Sequence, residues 1–170
     1  MIPLPLLEVD SLTIDYQTRR GNIRAVNNVS FTLEKGETLG LVGESGSGKS
    51  TLGLSIIRLI PPPSIIVNGH IRIDRRDILN LSEDKMRSIR GKKVAFVFQD
   101  PMTSLNPVKK VGAHFVELIH THEPKLSEME TLEHAKKALN DVGILPERIN
   151  DYPHQFSGGM RQRIMIALAI

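Results

Sequence analysis

Apolar and polar positions alternate over residues 6–16 and again over residues 23–33, with the turn-forming Arg19-Arg20-Gly21-Asn22 between them. That alternation predicts a β-hairpin lying beside a main sheet. Thr38-Leu39-Gly40-Leu41-Val42 is a short apolar run of the kind expected for a buried parallel strand. A glycine-rich stretch follows, and then Leu52, Ile56 and Leu59 recur at helical spacing until Pro61, Pro62 and Pro63 stop the helix. Residues 65–73 read as a strand pair around Asn68-Gly69, and residues 94–98 as a second buried apolar run. Ser82, followed by Glu83 and Asp84, opens a short helix that Gly91 ends.

Beyond Pro107 the pattern turns helical. Residues 111–122 form one candidate helix, and Ser127-Glu128-Met129-Glu130 is a capping box opening another. That second helix carries Leu132, Ala135, Leu139 and Val142 on one face, with Gly143 as its stop. Residues 160–170 are an apolar-rich helix without a stop signal. The α/β pattern divides into a core with a β subdomain over 1–100, a helical subdomain over 101–156, and a further helix start over 157–170.

Composition narrows the function classes. The formal charge of +3 is small for 170 residues and does not identify a nucleic-acid binder. With no cysteine, disulfides and thiolate metal sites are excluded. The apolar opening lacks a basic n-region and meets Glu8 and Asp10 too early for a signal peptide. The most apolar stretch, residues 54–67, is broken by Arg58 and the prolines, whereas a spanning helix needs roughly 20 apolar residues.

The chemistry begins at Gly43-Glu44-Ser45-Gly46-Ser47-Gly48-Lys49-Ser50, which matches G-x-x-x-x-G-K-S/T and is followed by Thr51. Glycines let the backbone curl so that successive N–H groups face a β-phosphate, and the helix beginning near Lys49 adds its positive end. At such a loop the lysine reaches the β- and γ-phosphates and the following hydroxyl ligates Mg²⁺, here Lys49 and Ser50.

Val94-Ala95-Phe96-Val97-Phe98-Gln99-Asp100-Pro101 taken alone has three readings. Asp100 could be a Walker B acid on Mg²⁺, Gln99 could be a Q-loop glutamine, or the end could be a polar turn after a core strand. Phe156-Ser157-Gly158-Gly159-Met160-Arg161-Gln162-Arg163 decides between them. Ser157 can cap a helix whose first N–H groups, at Gly158 and Gly159, make a second anion-seeking start. Two such starts separated by an all-helical insert are hard to obtain by accident.

With these motifs in this order, the chain resembles the ATP-binding-cassette (ABC) ATPases over essentially its whole length. Residues 43–50 resemble the Walker A loop, Gln99 the Q-loop and residues 156–163 the signature. Finer resemblance, in Phe98-Gln99-Asp100-Pro101-Met102-Thr103-Ser104-Leu105-Asn106-Pro107 and in residues 152–163, is to the peptide/nickel branch of ABC importers. Phe156 and Met160 depart from the general leucine and glutamine of the signature.

The resemblance implies a P-loop NTPase core with an antiparallel β subdomain and a helical subdomain. It implies ATP and Mg²⁺ as cofactors, Tyr16 stacking on adenine, Lys49 and Gln99 as catalytic groups, and Ser50 and Gln99 at the metal. It also implies that Ser157, Gly158, Gly159 and Met160 cover the nucleotide of a second ATPase subunit. Two membrane permease subunits, and indirectly an extracytoplasmic solute-binding protein, would complete the assembly at the cytoplasmic face of the plasma membrane, with no nucleic acid involved. The family's Walker B strand, general-base glutamate and switch histidine follow the signature helix, so the sequence is expected to be an N-terminal part that binds ATP without a complete catalytic set. His114, His120, His122, His134 and His154 all precede the signature and do not fit the switch. A soluble ABC ATPase acting on ribosomes or DNA would call for a second cassette or a basic arm; a non-catalytic nucleotide-binding fragment is the other alternative.

Overall fold

Strands β1 (Leu7–Thr18) and β2 (Gly21–Leu33) form the expected antiparallel hairpin, turning at Arg19 and Arg20. Among the described residues the hairpin is part of a single sheet and lies beside no other. Strand β3 (Ser64–Ile73) pairs antiparallel with the free edge of β1, and β4 (Arg76–Asp77) completes a four-stranded sheet of order β2-β1-β3-β4. The structure, a computed structural model, describes residues 4–99 and 104–170. The chain divides into two compact units, Met1–Arg87 and Ser88–Ile170.

Residues 64–73 are one strand, not the strand pair expected around Asn68-Gly69. An Asn-Gly pair makes a hairpin turn only if its flanks pair with each other; here both flanks pair with β1, Ile66 opposite Ile14 and Ile71 opposite Val9. Gly69 (φ 102) instead sits where a Cβ would come within 2.6 Å of the Asp10 carbonyl oxygen and of the Leu12 Cα. Register shifts in β1 near Ser11 and Leu12 leave backbone donors without ladder partners. Side chains take them up: Ser30 Oγ accepts from the Ser11 amide at 2.8 Å, and Thr13 Oγ1 from the Asn28 amide at 3.1 Å. Val9, Leu12, Ile14, Val26, Ile71, Ile73, Leu52, Ile57, Ile78 and Met86 are the buried apolar residues of this unit. Full burial of each large one stabilises by roughly 1.5–3 kcal/mol.

Helix α1 runs Lys49–Ile56 and ends well before the prolines expected to stop it. Its end has a tertiary cause. Arg58 takes a left-handed conformation (φ 52) and donates to the carbonyls of Ile78 and Leu81 at 3.0 and 2.7 Å, while Ile57 is buried. Leu59 is consequently exposed and not on the helix's core face.

Thr38-Leu39-Gly40-Leu41-Val42 forms no strand, and Val42 is 94% exposed. Residues 94–98 likewise show only an isolated bridge, Arg90 to Val94, and Phe98 is 46% exposed. The expectation of two buried strands therefore fails among the described residues. An apolar run becomes a buried strand only when neighbours pair with its edges.

Helix α2 (Glu83–Ile89) opens after Ser82 as predicted. The second unit contains α3 (Val111–His122), α4 (Glu128–Asp141) and α5 (Gly158–Ala169), with 3₁₀ turns at Pro146–Asn150 and Pro153–Gln155 between α4 and α5. Their core contains Val111, Phe115, Ala135, Leu139, Ile149, Phe156, Ile164 and Ala167, with Leu132 and Val142 packed against it. The capping box is formed: the Ser127 amide donates to Glu130 Oε2 at 2.9 Å and the Glu130 amide to Ser127 Oγ at 3.3 Å. Thr131, fully buried, donates to the Ser127 carbonyl at 2.9 Å and lies 3.0 Å from His120 Nε2.

Candidate nucleotide-binding site

The loop of residues 43–48 leads into α1 through two glycines in left-handed conformations, Gly46 at φ 82 and Gly48 at φ 89. Side chains rarely adopt those angles, so the turn demands glycine at both positions. Gly48 has a second reason. A Cβ there would collide with the carbonyl oxygen of Ala25 on β2, and the Val26 side chain lies 3.8 Å away. The start of α1 is thus pressed against the backbone of β2.

Lys49 closes the loop from beneath. Its ammonium donates to the carbonyls of Gly43 and Glu44 at 2.7 and 2.6 Å and to Ser47 Oγ at 3.2 Å, and Ser47 donates its amide to Glu44 at 3.2 Å. Helix α1 has no side-chain cap and no acidic residue in its first turn. Its leading N–H groups and its dipole are therefore open to an anion. Ser50 is exposed at that start. Thr51 is buried, and its Oγ1 lies 3.2 Å from the Tyr16 hydroxyl. The first unit thus gathers Tyr16 with residues 43–51.

In the second unit, Ser157 caps α5, accepting from the Met160 amide at 3.4 Å. A Cβ on Gly158 or Gly159 would meet nothing within 4 Å, so the first turn of α5 presents open backbone. Beneath it, Arg148 ties the turn together. Its guanidinium lies 4.0 Å from the Phe156 ring centroid, donates to the Gln155 carbonyl at 3.0 Å and to Asp151 at 2.8 Å, and reaches Met160 Sδ at 3.8 Å. No sequence motif pointed to Arg148, because its role depends on a 3₁₀ turn and not on spacing along a helix. Gln99 is exposed in the same unit, after Phe96 and Phe98, whose rings meet edge to face at 4.8 Å. Asp100, the alternative metal ligand, lies outside the described residues, as do Pro101, Met102 and Thr103.

A family model for the ABC transporter matches residues 26–170. The chain belongs to the ABC transporter family.

Among relatives in that family, the oligopeptide transport ATP-binding protein OppD of Bacillus subtilis (strain 168) is 49% identical over 168 residues, covering 97% of this chain and 47% of that protein. The dipeptide transport ATP-binding protein DppD of Lactococcus lactis subsp. cremoris (strain MG1363) is 42% identical over 168 residues, covering 97% and 48%. The chain spans about half the length of the curated relatives it matches. Among solved structures, the dimeric bacterial ABC transporter cassette MJ0796 superposes with a TM-score of 0.83 at 30% identity, covering 96% of this chain and 68% of that one. A post-hydrolysis state of the same cassette, bound to ADP and Pi, gives a TM-score of 0.81 at 29% identity, with coverages of 96% and 68%. The ABC ATPase fold class expected from the sequence, an antiparallel N-terminal sheet followed by helices, is therefore borne out.

Proposed function

We propose that the protein is the ATP-binding subunit of an ABC importer, coupling ATP binding and hydrolysis to uptake of peptides or of nickel or related small solutes. The observation that carries the nucleotide reading is the loop itself: two left-handed glycines, an uncapped start of α1, and Lys49 held at the loop's base. In this reading the amides of residues 46–51 and the Lys49 ammonium hold the β- and γ-phosphates, and Tyr16 stacks on adenine. Mg²⁺, for which the family resemblance implies Ser50 and Gln99 as ligands, would supply charge neutralisation at the transferring phosphoryl group. Positioning and electrostatics dominate such chemistry, so Lys49 and Gln99 are the catalytic groups of this chain.

The open first turn of α5, with Ser157, Gly158, Gly159 and Met160, would cover the nucleotide of a second ATPase subunit. The helical region 101–156 would dock on two permease subunits, placing the protein on the cytoplasmic face of the membrane. No helix among the described residues is long and apolar enough to cross a membrane. The peptide class rests on the oligopeptide and dipeptide roles in the names of the relatives. Fluorescent-ATP titration tests the core of the reading: Lys49→Ala should weaken binding by at least about tenfold. An unchanged dissociation constant would sink it.

A further inference from the structure

The start of α1 is fixed to the sheet at two points of different kind. One is backbone: Gly48 sits so close to the Ala25 carbonyl of β2 that no side chain fits between them. The other is a single side-chain bond, the Tyr16 hydroxyl of β1 to Thr51 Oγ1 at 3.2 Å. Thr51 is buried, so its hydroxyl has no ready access to bulk water if the phenol is removed. Tyr16 itself is half-buried near the end of β1, opposite Ile23 and Ser64. With one flank tied to α1, its ring is not free to take the rotamers otherwise open to a strand tyrosine.

We infer that the Tyr16 hydroxyl is a positioning group that locks the aromatic face at the end of β1 to the phosphate-loop helix through Thr51, so that a base platform and a phosphate cradle are held in one fixed relation before a nucleotide arrives. The inference rests on the nucleotide reading above, and concerns the hydroxyl, not the ring. A ligand with both a planar base and a polyphosphate gains from the tether, because the ordering of Tyr16 has already occurred. A bare polyphosphate does not.

The test compares ATP with inorganic tripolyphosphate by calorimetric titration on the parent protein and on Tyr16→Phe, Thr51→Val and the double variant. Tyr16→Phe keeps the ring and loses only the bond, so the ratio of ATP to tripolyphosphate affinity should fall by about two- to tenfold. Thr51→Val should lower the same ratio, and the double variant should lower it no further than the larger single effect. A ratio unchanged in Tyr16→Phe, or fully multiplicative effects in the double variant, would overturn the tether while leaving the nucleotide site intact. Failure of the parent to bind ATP would instead remove the nucleotide reading itself. A purely structural role would lower the melting temperature and both affinities together without moving their ratio, and that result also counts against the inference.

Discussion

The guanidinium of Arg148 lies 4.0 Å from the centroid of the Phe156 ring, directly before the serine that caps α5. Phe156 is buried in the helical core, and the same guanidinium bonds Asp151 and Gln155. One planar cation therefore holds the approach to Ser157 from several sides. Such a fork is not replaceable by an ammonium, which lacks the planar face that lies on the ring while its edge bonds the Asp151 carboxylate and the Gln155 carbonyl. Arg148→Ala should cost about 1–3 kcal/mol, and Arg148→Lys should recover less than half of it. Chemical denaturation measures the loss, and hydrogen exchange at the Met160 amide should quicken in parallel. Phe156→Leu, which removes the ring and its cation contact, should cost about 1–2 kcal/mol. Wild-type stability in Arg148→Lys would show that charge alone suffices.

The two left-handed glycines of the loop separate conformational strain from steric conflict. At Gly46 an added Cβ meets nothing within 4 Å, so Gly46→Ala should cost only the left-handed penalty of about 1–2 kcal/mol. At Gly48 the same penalty is joined by collision with the Ala25 carbonyl, which is backbone and cannot turn aside. Gly48→Ala should therefore be clearly the worse of the two, both in melting temperature and in ATP affinity. Equal effects would mean that α1 can lift away from β2 at little cost.

A pH effect is built into α4. The Ser127 hydroxyl, and next its amide, bond the Glu130 carboxylate and hold its pKa below the usual range. A lowered folded pKa means that the charged form is favoured in the native state. Its contribution to stability is then complete above the unfolded value of about 4.3 and is lost as pH falls through the folded value. Carboxyl NMR titration should place the Glu130 midpoint below that reference. In Ser127→Ala the midpoint should rise toward it, and α4 should fray at its first turn. A midpoint unmoved by the substitution would assign the shift to something other than the cap.

What the sequence made legible was local. The bounds of α3, the Ser127–Glu130 box, the Ser157 cap and the glycine loop each follow from residues within a few positions of one another. What it hid depended on distant partners. Arg58 ends α1 by reaching carbonyls at 78 and 81, β1 pairs with both flanks of Asn68-Gly69 and so keeps them in one strand, and Arg148 finds Phe156 across a 3₁₀ turn. The runs at 38–42 and 94–98 show the same limit from the other side: they are apolar, but composition does not supply a neighbouring strand.

Those two runs carry the last prediction. Leu39, Leu41 and Val42 in the first unit, and Val97 and Phe98 in the second, are exposed large apolar side chains on backbone without ladder partners. Exposed apolar runs of this kind, on backbone outside any strand ladder, template association and bind apolar dyes. At roughly 25 cal/mol per Å², covering a few hundred Å² of them would add several kcal/mol, which is comparable to a domain's net stability of about 5–15 kcal/mol. The 170-residue chain studied alone should therefore bind anilinonaphthalene sulfonate, self-associate with rising concentration in sedimentation velocity, and melt broadly. Replacing Leu39, Leu41 and Val97 together with serine should reduce both dye binding and association, because the added hydroxyls remove apolar area without touching the helical core. A parent chain that stays monomeric, excludes the dye and melts in one sharp transition would mean that these side chains are covered in solution.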